Sequence, residues 1–134
     1  MERAAWREES VAIHASRLVF LDESGAHTAM DRTYGRAASG KRVAGPVPHG
    51  HCSMTTLTAA VRLDGLVPAA CQASSRATNA AWFVHYLATC LVPSLRVGDI
   101  EIMDNLSSHK SAEVTRLIES AGAQLRILPA CNPS

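Results

Sequence analysis

A chain of 134 residues can bury one hydrophobic core, about 65–70% of its unfolded surface, and is too short for two. With 47% hydrophobic and 19% charged residues, its composition excludes the disordered, collagen-like and coiled-coil classes. Thirteen Lys and Arg against twelve Asp and Glu leave a net charge of +1, so affinity for nucleic acid has to come from local cationic patches.

Cys52, Cys71, Cys90 and Cys131 form no Cys-x-x-Cys pair, which reads as reduced thiols of a cytoplasmic chain. Met1 to Ser16 holds five charged residues and no apolar signal-peptide segment, and no apolar run reaches the roughly 18 residues of a membrane span. No membrane partner is expected.

Residues 1–17 mix charged and small residues without a sustained period and read as a lead-in or linker. Leu18-Val19-Phe20-Leu21 is an apolar run that stops at Asp22-Glu23-Ser24-Gly25, the pattern of a buried strand reaching the surface at its C-terminal end. Residues 31–51, rich in Gly, Pro and Arg, predict hairpin or loop. Ser53 to Arg62 and Val67 to Cys71 predict two strands joined by a turn at Asp64-Gly65.

Asn79 is a good cap for a helix from Ala80 to Val92, with Ala80, Phe83, Val84, Leu87 and Leu91 on one face and Pro93 closing it. Trp82 and Phe83 are expected to pack that helix against a sheet. Asp99-Ile100-Glu101-Ile102-Met103-Asp104 predicts a strand ending in a carboxylate. From Ser108 to Ala121, Val114, Leu117, Ile118 and Ala121 recur at helical spacing, and Gly122 suits the position just past a helix end. Gln124 to Leu128 predicts a last strand. The order is β, β-hairpin, α, β, α, β.

Asp22 and Asp104 each follow an apolar strand and precede small or polar residues. If their strands are neighbours, the two carboxylates converge at the strand C-termini, where open α/β sheets bind ligands. Two such acids in polar surroundings make a hard-oxygen site for Mg²⁺ or Mn²⁺. Glu23 alternates to the opposite face and is a poor substitute ligand. Arg32, Arg36, Lys41 and Arg42 crowd a glycine-containing segment that could grip a phosphate backbone. Gly35 to Lys41 resembles the start of a P-loop, but Arg42 replaces its Ser or Thr and no helix pattern follows, which argues against nucleotide binding. His49, His51 and Cys52 lack a second ligand pair at matching spacing, which argues against zinc.

Leu18 to Gly25, Arg32-Thr33-Tyr34-Gly35-Arg36 with Gly40-Lys41-Arg42-Val43, His51 with Thr55-Thr56-Leu57, and above all Met103-Asp104-Asn105-Leu106-Ser107-Ser108-His109-Lys110 resemble the catalytic domain of mariner-type DDE transposases of bacterial insertion sequences. The resemblance implies an α/β, RNase H-like mixed sheet over residues 18–134, with three antiparallel strands plus parallel strands, flanked by helices. It implies Asp22 and Asp104 as catalytic and metal-binding acids, Mg²⁺ or Mn²⁺ as cofactor, and transposon ends and target DNA as partners. Self-association or pairing with full-length transposase is implied as well. Arg36, Lys41, Arg42, His109 and Lys110 become candidate DNA-binding residues.

The family's third acid, behind a Pro-rich turn and an Asn-Pro-x-Glu-like motif, falls past Ser134, so the expectation is a domain truncated before it and nearly inactive in cleavage alone. Two alternatives stand beside this reading. One is a non-catalytic fragment that binds DNA or transposase and inhibits transposition; the other is a different RNase H-like nuclease.

Overall fold

The computed structural model describes residues 2–47, 49–50, 53–75 and 78–130. Three strands of the sheet, β1 (Leu18–His27), β2 (Met54–Arg62) and β3 (Gly65–Leu66), run antiparallel in sequence. They are followed by β4 (Gln72–Ser74), β5 (Ile100–Met103) and β6 (Gln124–Ile127). The spatial order is β3-β2-β1-β5-β6, with β4 also on β2. β1 pairs with β5 in parallel through Leu18↔Ile100, Val19↔Glu101 and Phe20↔Ile102, and β5 pairs with β6 in parallel. This is the mixed sheet expected of an RNase H-like domain.

Register sorts the side chains, because partners across a ladder point to the same face. Val19 and Leu21 join Ala60 and Met103 in a buried cluster with Phe83, Tyr86, Leu87, Leu91, Val114 and Ile118 of the helices. The opposite face carries Phe20, Ile102 and Arg126. Helix α1 (Glu2–Val11) reaches that side of β6, where Glu9 Oε2 lies 3.1 Å from Arg126 Nη1. The segment expected as a lead-in is therefore mostly helical, held by a tertiary ion pair that its own sequence does not announce.

Several boundaries differ from the sequence expectation, each for a physical reason. β1 does not stop at Asp22: it continues to His27, paired with β2 as far as His27↔Met54, because a second strand satisfies its backbone after β5 has ended. The third strand is broken by a 3₁₀ turn at Pro68–Ala70, where Pro68 has no N–H to give the ladder. The reversal before it lies at Leu63-Asp64, and Gly65 with φ of 126° opens β3. Helix α2 (Ala80–Tyr86) widens into a π turn over Leu87–Leu91 and a 3₁₀ turn over Val92–Ser94. Pro93 sits in the first turn of that last piece, where a missing N–H costs nothing, so it does not end the helix.

Two caps come out as the sequence reads. Asn79 Oδ1 accepts the Trp82 N–H at 2.8 Å, and Gly122, with φ of 75°, follows the end of α3 (Ala112–Ser120). The start of α3 is later than expected. Ser111 caps it by accepting the Val114 N–H at 3.3 Å, and Ser107–Lys110 forms a separate 3₁₀ turn. Trp82 is only half-buried and stacks on Tyr86 at 5.5 Å, while Phe83 enters the core. Residues 31–47 form an exposed stretch without helix or strand. His51, Cys52, Asn132 and Pro133 lie outside the described residues.

Candidate metal and nucleic-acid site

Asp22 and Asp104 stand in equivalent positions. Phe20↔Ile102 is the last pair joining β1 to β5, and each acid comes two residues later, the next position on the same face in a strand. Asp22 is exposed, and its Oδ1 accepts the Glu23 N–H at 2.8 Å. Asp104 follows β5 directly; its side chain is 44% exposed, although Oδ1 itself is buried.

Behind Asp104 lies His109, which is 2% exposed and so is enclosed, not presented to solvent as a residue at an open helix start would be. The 3₁₀ turn folds its ring inward against Phe83, with centroids 4.4 Å apart. Nδ1 lies 2.6 Å from Asp104 Oδ1, off the line of an aligned hydrogen bond, and 3.3 Å from the Asp104 carbonyl oxygen. Nε2 lies 3.8 Å from Glu23 Oε1. Glu23 does point away from the Asp22 face, as alternation requires, and that is what brings it to His109.

Asn105 adds a further buried oxygen, Oδ1, without a hydrogen-bond partner among the described residues. It borders an open groove of about 570 Å³ whose other walls include Trp6, Glu9, Ile127 and Pro129. Among the described residues, no three His, Cys, Asp or Glu side chains form a metal-holding cluster. The donors are nevertheless of the right kind for a hard divalent cation: two carboxylates, each two residues past the Phe20↔Ile102 pair, and an amide oxygen on the residue after Asp104 that is unpartnered among the described residues.

The cationic candidates divide. Arg36, Lys41, Arg42 and Lys110 are exposed, and among the described residues none of them forms an ion pair. Arg36 lines a shallow pocket with Arg32, Tyr34 and Gly35. His109 differs from them in being enclosed, with its Nδ1 2.6 Å from Asp104 Oδ1.

Beneath the site lie charges that the sequence reading did not single out. Arg62 Nη2 donates to Asp99 Oδ2 at 2.6 Å and to the Ser94 carbonyl at 2.9 Å. Burial pushes the Asp99 carboxyl up, but the Arg62 hydrogen bond, the Arg96 N–H and both positive charges hold it below its usual value. The same hydrogen bond raises Arg62. Glu101 is wholly buried, and burial raises its carboxyl well above the usual range. A Glu inside the otherwise apolar run Ile100 to Met103 was the available signal for it.

The family model of the DDE superfamily endonucleases matches residues 17–134. No curated protein matches the chain. Among solved structures, the chain is similar to the Mos1 transposase paired-end complex with left transposon end, at 17% identity and a TM-score of 0.67, covering 92% of this chain and 38% of that one. It is similar to the Mos1 mariner paired end complex with Mn at 18% identity and 0.66, covering 96% and 40%. The mariner Mos1 paired end complex with Mg matches at 17% identity and 0.64, covering 91% and 38%. The chain thus spans about two fifths of those transposase chains, and the likeness establishes the fold.

Proposed function

The chain belongs to the DDE superfamily endonucleases, and from that premise we propose that it is catalytic-domain sequence of a mariner-type DNA transposase, of the kind carried by bacterial insertion sequences and acting in the cytoplasm. The carrying observation is the equivalence of Asp22 and Asp104, each two residues past the pair Phe20↔Ile102 on adjacent parallel strands. In this reading the two carboxylates hold Mg²⁺ or Mn²⁺ just past the last pair between β1 and β5. When bound, such ions make water or a DNA 3′-hydroxyl nucleophilic and stabilise the leaving oxygen of an in-line phosphodiester displacement.

The chain's own residues supply the rest. Asp22 and Asp104 bring negative charge to the place where β1 and β5 cease to pair. The exposed Arg36, Lys41, Arg42 and Lys110 offer contacts to the phosphates of transposon-end and target DNA. Two acids hold a pair of cations poorly, so the 134 residues alone are proposed to cleave weakly, with a third carboxylate needed for full activity. Because the loop cations are exposed and, among the described residues, outside ion pairs, a DNA-binding role separate from cleavage is the second reading.

Mn²⁺ titration followed by electron paramagnetic resonance tests the first. Asp22→Ala and Asp104→Ala are each expected to weaken binding. Unchanged affinity in both removes the shared site.

A further inference from the structure

An imidazole at 2% exposure is costly unless its nitrogens find partners, and His109 sits where three polar atoms lack aligned ones. Glu23 Oε1, His109 Nε2 and Asp104 Oδ1 are all buried without a hydrogen-bond partner among the described residues. They form a row: Oε1 to Nε2 at 3.8 Å, and Nδ1 of the same ring to Oδ1 at 2.6 Å. Phe83 backs the ring at 4.4 Å, and the Asp104 carbonyl lies 3.3 Å from Nδ1. A carboxylate–imidazole–carboxylate row that ends on a candidate cation ligand has the layout by which outer groups orient a metal-binding side chain.

Resting on the reading of Asp104 as a cation ligand, we propose that His109 is a positioning residue: braced by Phe83 and Glu23, it holds Asp104 through Nδ1 and Oδ1 so that the other carboxylate oxygen is presented to the cation. Glu23, 81 positions before Asp104 in the sequence and on the opposite face from Asp22, acts at one remove by steadying the far side of the ring. The row also gives a reason for polar groups in a position where an apolar side chain would fill the space at lower cost.

Mn²⁺ binding by the 134-residue chain, followed by electron paramagnetic resonance, provides the test. His109→Phe keeps a ring against Phe83 and deletes both nitrogens, and is expected to weaken Mn²⁺ binding about tenfold. His109→Asn returns an amide N–H near the Nδ1 position and is expected to recover binding to within about threefold of the parent. A side chain that merely fills the core predicts equal behaviour in the two variants. Equal losses, or no loss in His109→Phe, overturn the proposal.

A readout without metal runs in parallel. The ¹⁵N resonances of the His109 ring are expected to shift in Asp104→Asn and in Glu23→Gln, and unmoved resonances in both overturn the proposal even if His109→Phe fails to fold. Asp104→Ala separates the two levels of the argument. If it abolishes Mn²⁺ binding while His109→Phe changes nothing, the site stands and the positioning role fails. If Asp104→Ala leaves binding intact, the site fails and the positioning role with it.

Discussion

Arg62 and Asp99 meet at 2.6 Å with both side chains nearly enclosed, joining the end of β2 to the residue that precedes β5. Between those strands runs β1, so the pair spans the strand that carries Asp22. Asp99 Oδ2 also accepts the Arg96 N–H at 2.6 Å.

Breaking this pair leaves a buried charge without its partner, so Asp99→Ala is expected to cost about 3 kcal/mol. Asp99→Asn, which keeps an oxygen for Arg96 N–H, should cost less. The carboxyl is held below its usual 3.8, so its contribution is present above that pH and is lost as pH falls through the lower folded value. Urea denaturation of both variants near neutral and at acid pH checks the size and the sign; equal stability of Asp99→Ala and the parent would refute it.

Glu101 behaves in the opposite sense. Burial raises its carboxyl in the folded chain well above 4.5, so the unfolded chain releases this proton first and stability falls as pH rises from there through the folded value. Glu101→Gln carries no proton to lose. Its urea midpoint is expected to decline less than the parent's between about pH 5 and 8. Parallel curves would mean that Glu101 finds a compensating partner.

Tyr86 donates its hydroxyl to the Ala70 carbonyl at 2.5 Å, tying α2 to the 3₁₀ turn that interrupts the third strand. Tyr86→Phe removes the donor and leaves a buried carbonyl unpaired, at an expected cost of about 1–2 kcal/mol. Thermal melts that coincide with the parent's would show the hydrogen bond to be dispensable.

The exposed cations give a salt test of DNA contact. Replacing Arg36, Lys41 and Arg42 together by Ala is expected to weaken duplex binding on any sequence and to flatten the salt dependence by about 0.9 per lost phosphate contact. Fluorescence anisotropy across a salt series measures this. An unchanged slope would take the loop off the DNA.

Local pattern was enough for much of this protein. The apolar runs at Leu18 and Ile100, the Asn79 cap, the helical spacing from Val114 to Ile118 and the position of Gly122 depend on neighbours in sequence, and the elements formed where those neighbours put them. The equivalence of Asp22 and Asp104 was legible for the same reason, since each is marked by the strand before it. The positions that needed the tertiary structure depend on residues remote in sequence. β1 runs past Asp22 only because β2 pairs with it, and α1 meets β6 through an ion pair across 117 positions. His109 is enclosed because Phe83 and Glu23 come to it from two other elements. A sequence fixes which backbone conformations and faces are favourable nearby. Which buried polar atoms end up opposite one another is settled when the sheet and its helices close, because only then does each lose water and need a partner.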